Sequence, residues 1–377
     1  MHLIIKLLKA KWRLLPPKPK KIVIFDGIQN PFSKYFDESD YNIIYRRGEE
    51  INIFVLIKCL LELNFKPLNY FLNFIKISRP KIILTAIDYT PTFYLLSKAT
   101  GVKTAFIQFG TRTKWNDLFA NKKITNKHNK DLFHVDYMFT FNKFISNLYQ
   151  SFISGKTIEI GSFKNNFNRR KRIKKKEILF ISTFKSFALN NDKFFGYSNN
   201  FFFKNDSAVI KKIFFLSKKK KIKFNILGRG IGNERIKEEN YFNNMLGKKN
   251  FCFIENYFGR STYDIVNNYK YIYTIDSTLG IENLALGNNT GFLFNRPYKF
   301  PINTRRFGGM EDLPRKGPFW TTYNSDSEFK RVFNYIIRNA KYPSWRKKTK
   351  NIVKKVMVYD YGNKKFIKII NKALKDK

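Results

Sequence analysis

The chain has 377 residues and carries 72 Lys and Arg against 28 Asp and Glu, which gives a formal net charge of +44. Hydrophobic residues make up 43% of the sequence and aromatic residues 18%, so a disordered basic tail protein is excluded. Two Cys and three His exclude a disulfide framework and a cysteine-rich zinc site and leave little room for a multi-histidine metal centre. Since no uncharged apolar run has the length of a transmembrane helix, we expect an intracellular globular protein, in solution or on a membrane surface.

We attribute part of the basic charge to compositional bias rather than to function. Of the 72 basic residues 54 are Lys, and Asn, Ile, Phe and Tyr are abundant, as in proteins from AT-rich genomes. No helix-turn-helix, RRM or zinc-finger pattern is visible, so we expect no specific nucleic-acid partner. The sequence pI near 10.1 predicts attraction to anionic lipid, nucleotides or acidic glycans.

Residues 1–19 are predicted to form an N-terminal amphipathic segment with a proline spacer. Leu and Ile at positions 3, 4, 7 and 8 fall on one face of a helix over residues 1–15, with Lys and Arg largely on the other. The pattern fits an ordinary packing helix and a helix on the inner membrane face equally well. Pro16, Pro17 and Pro19 end it.

Residues 20–167 are predicted to form an N-terminal Rossmann-like domain, because short apolar strands alternate with helices. Strands are predicted at 20–27, 41–50, 80–88, 102–112, 135–142 and 156–166, and helices at 51–63, 68–78, 91–100 and up to 153. The basic run 168–176 is predicted to be a linker.

Residues 177–343 are predicted to form a second Rossmann-like domain. Its strands are predicted at 176–183, 221–230, 251–256, 271–278 and 290–297, and its helices at 206–219, 261–268, 280–286 and 326–340. Residues 344–377 are predicted to form a C-terminal helix that crosses back. The fold class is therefore α/β, with two Rossmann-like domains facing a central cleft where open sheets bind ligands.

The segment TIDSTLGIENLALG, residues 274–287, is the strongest candidate for a binding site. Ser277 and Thr278 precede a helix whose first N–H groups suit a phosphate or carboxylate. Gly280 allows close approach of the backbone, and Glu282, placed in the first helical turn, could accept ribose hydroxyls. On the motif alone, a plain helix cap explains these residues as well as a ligand does.

Carboxylates follow two predicted strands of the first domain. Asp26 and Asp88 each stand at a strand end, where a carboxylate can act as base on a sugar hydroxyl or as nucleophile at an anomeric carbon. A cap or turn role is the common alternative. Asp88 is the stronger candidate because Tyr89, Thr90 and Pro91 begin a helix directly after it.

Polar residues at other predicted strand ends are candidates for contacts with the acceptor sugar. Arg112 could hold a phosphate or carboxylate with two hydrogen bonds, although without further context a turn glycine with a surface Arg is the slightly favoured interpretation. The acceptor candidates are Gln108, Gly110, Arg112, Asn142, Lys164 and Asn165.

The glycine-rich loop after a strand of the second domain offers Arg229 as a further donor contact. Gly228, Gly230 and Gly232 do not match GxGxxG, so a dinucleotide site is weakly supported. No Asp-x-Asp triplet occurs, so the metal–diphosphate anchor of one glycosyltransferase class is missing and no metal site is expected. P-loop and GxSxG motifs are also missing, which disfavours NTPase and α/β-hydrolase functions.

Several motifs together resemble one family. The segments IILTAIDYTPTFYLLSKATGVKTAFIQFGTR, FTFN, IGSFKNN, STLGIENLALG, GPFW and YDYGN occur in the order seen in bacterial surface carbohydrate biosynthesis proteins, a group similar to glycosyltransferases of GT-B type. The resemblance covers about Lys21 to Lys372.

The resemblance implies a metal-independent glycosyltransferase that extends a lipopolysaccharide, capsule or other surface glycan. Its implied partners are a nucleotide sugar as co-substrate, with no further cofactor, and a glycan or lipid-linked acceptor. On this basis residues 20–167 are expected to bind the acceptor and residues 177–343 the nucleotide-sugar donor. The Ser-Thr element is similar to the one that holds the CMP phosphate in transferases of CMP-activated acidic sugars, which assigns donor phosphate to Ser277 and Thr278. The His-Pro pair of bacterial sialyltransferases is absent.

The expected location is cytoplasmic, peripheral at the inner face of the membrane, with residues 1–15 and the basic surface on anionic lipid. Two other functions stay open. A polyol-phosphate transferase of teichoic-acid type shares the scaffold but typically needs catalytic His, which is scarce here. A non-catalytic glycan- or nucleotide-binding protein on the same fold would tolerate loss of Asp88.

Overall fold

The structure is a computed structural model that describes residues 10–27, 30–112, 117–171, 175–184, 193–194, 197–256, 262–294, 313–339 and 344–375. Its contacts divide the chain into two compact units. The first unit comprises Met1–Arg112, Asn116–Phe167 and Asp360–Lys377, and the second comprises Thr113–Trp115 and Asn168–Tyr359. No helix within the described residues is long and apolar enough to cross a membrane.

The first unit is built on a sheet of six parallel strands. In spatial order these are Tyr41–Ile44, Ile22–Phe25, Ile82–Thr85, Lys103–Ile107, His134–Thr140 and Ser154–Glu159. The central strands are runs of β-branched and aromatic residues, such as Ile22–Phe25, and are buried along their whole length. Such continuous apolar runs are typical of parallel strands covered on both faces.

Helices of the first unit begin where the sequence supplies caps or prolines. The Asn52 side chain accepts a hydrogen bond from the Val55 N–H, while Pro67 and Pro91 occupy first helical positions. The helices are Ile53–Leu61, Pro67–Ser78, Pro91–Tyr94, Leu96–Thr100, Asp117–Ala120, Lys143–Gln150 and Lys364–Lys375. The predicted single helix over 91–100 is therefore two short helices.

The N-terminal segment differs from the predicted helix over residues 1–15. Residues 1–9 lie outside the described residues, and Lys11–Arg13 is a strand paired in parallel with Glu50–Asn52. The Arg13 guanidinium lies 3.0 Å from the Glu50 carboxylate across this pair. The helix prediction is therefore wrong for residues 11–13.

The C-terminal segment is also interrupted. The prediction of one helix over 344–377 is wrong, because Ser344–Val356 and Lys364–Lys375 are separate helices joined through a turn at Tyr361–Asn363. Gly362 has a φ of 72° there, a conformation that ends a helix and that glycine adopts without strain.

The last helix completes the core of the first unit. The ring of Phe366 lies 5.0 Å from that of Phe139 and 4.9 Å from that of Phe163, and it stacks on Phe32. Asn166 donates a side-chain hydrogen bond of 2.7 Å to Asn363, which fixes the turn before this helix.

The second unit has a sheet of seven strands. Their spatial order is Cys252–Ile254, Phe224–Leu227, Lys175–Ile181, Tyr269–Thr274, Thr290–Leu293, Trp320–Thr321 and Lys316–Gly317. All neighbours are parallel except the last pair, which is antiparallel. Lys175, which the sequence assigned to the linker, belongs to a strand, as does Lys176, where that strand was predicted to begin.

The remaining elements of the second unit are helices and one small strand pair. The pair joins Lys193–Phe194 and Tyr197–Ser198. The helices are Asn199–Lys219, Asn233–Leu246, Thr262–Asn267, Thr278–Ala285, Asp326–Arg338 and Ser344–Val356.

Candidate functional site

Three neighbouring strands of the second unit end level with one another. The strand register places Leu227, Ile181 and Thr274 side by side. Because adjacent strands are roughly 4.8 Å apart, the loops that follow Leu227 and Thr274 begin about 10 Å from each other. These loops contain Arg229 and Ser277, so the fold brings the two predicted donor contacts to one edge of the sheet.

The helix that begins after Ser277 offers polar groups at this edge. Ser277 is half-buried and extended, as an N-cap residue is, yet within the described part of the chain its side chain makes no capping hydrogen bond. The hydroxyl is thus not used for the usual purpose of an N-cap serine. Thr278 begins the helix, and its half-buried side chain lies beside that of Ser277 along the chain.

Gly280 permits the helix to lie close to its neighbouring strand. A Cβ atom at this position would lie 2.6 Å from Cγ2 of Thr274, too close for any real side chain. Glu282 is buried and occupies the fifth helical position, one turn later than predicted. Packing of the helix against the strand therefore requires a glycine at position 280, and the same lack of a side chain leaves the backbone open to a ligand.

A network of buried amides fixes the same helix from behind. Asn283 donates to the Thr290 hydroxyl at 2.8 Å, and Asn288 donates to Asn283 and to Asn267 at the same distance. The side-chain nitrogen of Asn267 is buried and has no hydrogen-bond partner among the described residues, so this network is satisfied only in part. The sequence analysis missed it, although Asn at 283 and 288 within an otherwise apolar segment was a visible signal.

Glu238 holds the loop that carries Arg229. Its side chain is fully buried, and its Oε2 accepts hydrogen bonds from the N–H groups of Arg229 at 2.8 Å and Gly230 at 2.7 Å. Burial raises the pKa of the Glu238 carboxyl above its usual value. The Arg229 side chain is exposed, so the loop presents its charge to solvent.

The sequence analysis also missed Glu238. It lies four and eight residues before Phe242 and Leu246, which are buried on the same face of the helix. A carboxylate at an inward-facing position of a helix is the signal that could have identified it.

In the first unit, Asp88 is the centre of a buried ion pair. Arg112 donates its Nε–H to one carboxylate oxygen at 2.9 Å and an Nη2–H to the other at 2.8 Å, and the Tyr149 hydroxyl donates to the first oxygen. The Asp88 side chain is completely buried. Burial, and after it the Asp88 charge, raises the pKa of Tyr149 well above its usual value, so the tyrosine remains a donor.

This geometry assigns Asp88 and Arg112 to each other. A base or nucleophile needs a carboxylate oxygen that reaches the substrate, and both oxygens of Asp88 accept hydrogen bonds inside the first unit. Arg112 was predicted to bind a ligand through two hydrogen bonds, but it makes this bidentate interaction with Asp88 instead. The guanidinium also lies over the Tyr89 ring, 4.9 Å from its centroid.

Asp26 has a different environment. It directly follows the strand Ile22–Phe25 and adopts a left-handed conformation with φ of 62°, rare for a residue other than glycine. Its Oδ2 lies 3.3 Å from Arg46, and its buried Oδ1 has no hydrogen-bond partner among the described residues. A buried carboxylate oxygen without a partner is costly, and strained backbone of this kind clusters at functional sites.

The predicted acceptor residues are mostly held by the protein itself. Gln108 donates to the Gly110 carbonyl and accepts from the Phe141 N–H, both at 2.8 Å, so it ties two strand ends together. Asn142 caps the following helix by accepting from the Ile145 N–H. A Cβ at Gly110 would meet nothing within 4 Å, so no close approach within the protein requires a glycine there.

Lys164 and Asn165 lie after the last strand of this sheet. The Lys164 side chain is exposed and lies over the Phe109 ring, 4.2 Å from its centroid. Asn165 is buried, and its N–H donates to the Ser162 hydroxyl. Of the two, Lys164 presents a polar group to solvent.

The histidines of the described chain lie away from the carboxyl ends of the strands. His134 begins a strand, so it lies at the opposite edge of the first sheet, where its Nδ1 is 2.9 Å from the Ser154 hydroxyl. His128 is exposed in a helical turn. His2 is outside the described residues.

A family model decides the relationship of the chain. The family described as "putative O-antigen biosynthesis protein" matches residues 105–374, more than two thirds of the sequence. The chain belongs to this O-antigen biosynthesis family. The resemblance to bacterial surface carbohydrate biosynthesis proteins is thereby confirmed. No curated protein matches the chain significantly.

Solved structures of similar fold include MnaA from S. aureus with UDP, with a TM-score of 0.53 and 11% identity over 94% of this chain and 97% of that one. MurG from Acinetobacter baumannii has a TM-score of 0.51 and 10% identity, and the match covers 94% of this chain and 100% of that one. The wall teichoic acid polymerase TagF has a TM-score of 0.50 and 13% identity, and the match covers 95% of this chain and 90% of that one. The chain spans 61% of the length of its match in the GtfA/B complex.

At these identities the likeness concerns the fold. This protein has the GT-B fold of glycosyltransferases, with two Rossmann-like domains, and the predicted fold class is confirmed. Function still has to be argued from the residues, because one fold supports many reactions.

Proposed function

We propose that this protein is a glycosyltransferase that moves a sugar from a nucleotide-sugar donor to a growing surface polysaccharide or lipopolysaccharide. One observation carries the proposal. The Ser277 hydroxyl is half-buried at a helix N-cap and makes no capping hydrogen bond within the described residues, and it lies at the same edge of the sheet as the exposed Arg229. Hydroxyl, helix N–H groups and guanidinium together suit a phosphate. The similar fold of an MnaA structure that contains UDP supports a nucleotide as ligand.

In this proposal the second unit binds the donor. Ser277 and Thr278 hold the phosphate, Gly280 allows the backbone to approach it, and Arg229 supplies positive charge. Glu282 accepts hydrogen bonds from ribose hydroxyls. These groups would stabilise the leaving nucleotide without a metal, and the reaction would use no cofactor beyond the nucleotide sugar.

The first unit binds the acceptor. We assign the base to Asp26 rather than to Asp88. Both side chains are buried, but Asp26 has an oxygen, Oδ1, without a hydrogen-bond partner among the described residues, whereas both oxygens of Asp88 accept hydrogen bonds. It takes the proton of the acceptor hydroxyl while the sugar–phosphate bond breaks, the glycosidic bond forms and the nucleotide leaves. Lys164 contacts the acceptor, and Gln108, Arg112 and their neighbours hold the strand ends in place.

We further propose that the protein works at the cytoplasmic face of the membrane, where a lipid-linked acceptor would be presented. An enzyme that acts there gains from a basic surface, since the cytoplasmic leaflet is anionic. The formal net charge of +44 is consistent with this location.

Donor binding is tested by thermal shift with CMP, UDP, GDP, ADP and TDP, each with and without Mg²⁺. A ligand at about 100 times its dissociation constant stabilises by roughly 2.7 kcal/mol, which raises the Tm measurably. We expect one nucleotide to act selectively and without Mg²⁺. A response to CMP would identify a CMP-activated donor, and a response to a diphosphate would replace that donor class.

The matched variants are Ser277→Ala and Ser325→Ala. Both serines are N-cap residues whose side chains make no capping hydrogen bond within the described residues. We expect Ser277→Ala to weaken nucleotide binding at least tenfold and Ser325→Ala to leave it unchanged. Equal effects, or no shift with any nucleotide, would contradict the donor site and favour a glycan-binding protein.

The base is tested with Asp26→Asn. Asn tolerates the left-handed conformation at this position, so the variant is expected to fold. Sugar transfer should fall by about 10²–10⁴-fold with unchanged nucleotide affinity, the usual contribution of a general base. Asp131→Asn, at an exposed turn, is the control. Full turnover in Asp26→Asn would remove Asp26 from the mechanism.

A further inference from the structure

An apolar surface stands out on the first unit. Among the described residues, nine of the seventeen exposed large hydrophobic side chains lie between positions 12 and 65. Three of them are more than three-quarters exposed: Leu15 at 76%, Leu61 at 79% and Leu63 at 83%. We call this set the apolar face; it consists of Trp12, Leu14, Leu15, Phe54, Ile57, Leu60, Leu61, Leu63 and Phe65.

The fold makes the apolar face continuous. The strand Lys11–Arg13 pairs with Glu50–Asn52, and the chain passes directly from there into the helix Ile53–Leu61. Asn52 donates a hydrogen bond of 2.8 Å to the Leu15 carbonyl, which holds the residues after the first strand beside the helix start. Both parts of the face therefore belong to one surface.

The helix has apolar residues on two sides. Val55 and Cys59 pack into the first unit. Phe54, Ile57 and Leu61, spaced three and four residues apart, form a second stripe that remains exposed. A helix that is apolar on its solvent side needs a second apolar environment to cover it.

Basic residues outnumber carboxylates around the apolar face, where Glu49, Glu50 and Glu62 are the acidic residues. Residues 11–20 contain four basic residues and no carboxylate. Arg13 pairs with Glu50, whereas Lys11, Lys18 and Lys66 are exposed and have no ion pair with a described carboxylate.

The same segment also borders a cavity. It has a volume of about 470 Å³, and Arg13, Lys18 and Lys20 are among the residues that line it. Glu38 and Glu50 also line the cavity, so its three basic and two acidic residues leave a small net positive charge. Next to exposed apolar side chains, this recess provides room for an anionic headgroup at the level where the apolar residues would enter the acyl chains.

We propose that the apolar face docks the protein onto a bilayer that contains anionic phospholipid. Its apolar residues enter the boundary between headgroups and acyl chains, while the surrounding lysines contact the headgroups. A second copy of the chain is a poor occupant, because two such faces would bring like charges together. The surface goes beyond the proposed sugar transfer. It shares Trp12, Leu14 and Leu15 with the segment 1–15 that the sequence suggested, and its other six residues lie between positions 54 and 65.

The experiment measures binding of the full chain to vesicles by sedimentation, without donor or acceptor. One set of vesicles is phosphatidylcholine alone and the other contains one quarter phosphatidylglycerol. The apolar variant is Leu61→Ser with Phe65→Ser, and the matched control is Leu132→Ser with Phe215→Ser, two residues each 60% exposed elsewhere. The charge variant is Lys11→Gln with Lys18→Gln.

We expect the protein to prefer the phosphatidylglycerol vesicles. The apolar variant should lose at least tenfold in vesicle affinity, and the control should stay within twofold. Each lysine near an anionic surface contributes roughly fivefold, so the charge variant should lose about 30-fold, and this loss should shrink at high salt.

Three results would overturn the proposal. They are no vesicle binding by the unchanged protein, an equal loss in the control variant, and a dimer in light scattering that the apolar variant converts to monomer. The third result would place a second copy on the apolar face. Because the assay contains no nucleotide or sugar, its failure leaves the proposed transferase activity to be judged separately.

Discussion

Replacement of Asp88 by Asn is expected to destabilise the first unit strongly. The substitution removes the charge that faces Arg112 in a bidentate pair and weakens the acceptor of the Tyr149 hydroxyl. The Asp88 side chain is fully buried and that of Arg112 is 9% exposed, so little water can replace the lost partner. Breaking such a buried pair costs about 3–5 kcal/mol, because the remaining charge is left unpaired.

The expected change in Tm follows from this cost. In a unit of 150–250 residues, 1 kcal/mol shifts the Tm by roughly 2–4 °C, so Asp88→Asn should lower the calorimetric transition of the first unit by about 6–20 °C. The control is Asp326→Asn, which removes a surface ion pair with Lys212. Exposed pairs contribute about 0–1 kcal/mol, so the control should move by no more than a few degrees.

A double variant completes the test. Asp88→Asn combined with Arg112→Met removes both charges, and should recover at least half of the loss because no charge remains buried without a partner. The reasoning is refuted if the single variant melts like the control, or if the effects of the two substitutions simply add. A stable Asp88→Asn variant that had lost transfer would instead return Asp88 to the catalytic role.

Two further predictions concern the cores of the two units. Burial raises the pKa of the Glu238 carboxyl, so the folded state keeps the carboxyl proton to higher pH than the unfolded state does. The contribution of Glu238 to the free energy of unfolding is therefore greatest below the ordinary pKa of 4.5 and falls as the pH rises through the raised pKa. Glu238→Gln keeps an acceptor oxygen for the Arg229 and Gly230 N–H groups and should flatten this dependence in urea titrations from pH 4 to 8; an unchanged slope would contradict it. Phe366→Ala should cost about 3–5 kcal/mol, since Phe366 is fully buried, and a loss below 1 kcal/mol in calorimetry would show that the last helix is dispensable.

The sequence predicted the sheets because their strands carry short local signals. Runs such as Ile22–Phe25 and Ile82–Thr85 are apolar along their whole length, as buried parallel strands require. The C-terminal break was missed because the Lys-rich sequence on both sides of Gly362 keeps a helical period, although the glycine marks the turn.

The site was predicted less completely, because partners distant in sequence decide the role of a polar residue. Asp88 meets Arg112 across 24 positions and Tyr149 across 61, and no local pattern encodes either contact. Gln108 stood at a strand end as predicted, but its amide is used to join two strands. A helix start close to Ser277 was predictable from the local sequence, although the helix begins at Thr278, two residues before the predicted start.

The return of the last helix to the first unit has a consequence for synthesis on the ribosome. Phe32, Phe139 and Phe163 are made early, but Phe366, which packs on all three, emerges only after the whole second unit. At roughly 5–20 residues per second, the 203 positions between Phe163 and Phe366 take about 10–40 s to translate. During that interval the nascent first unit exposes an aromatic cleft that chaperones can recognise, and a chain that stops before residue 364 never closes it.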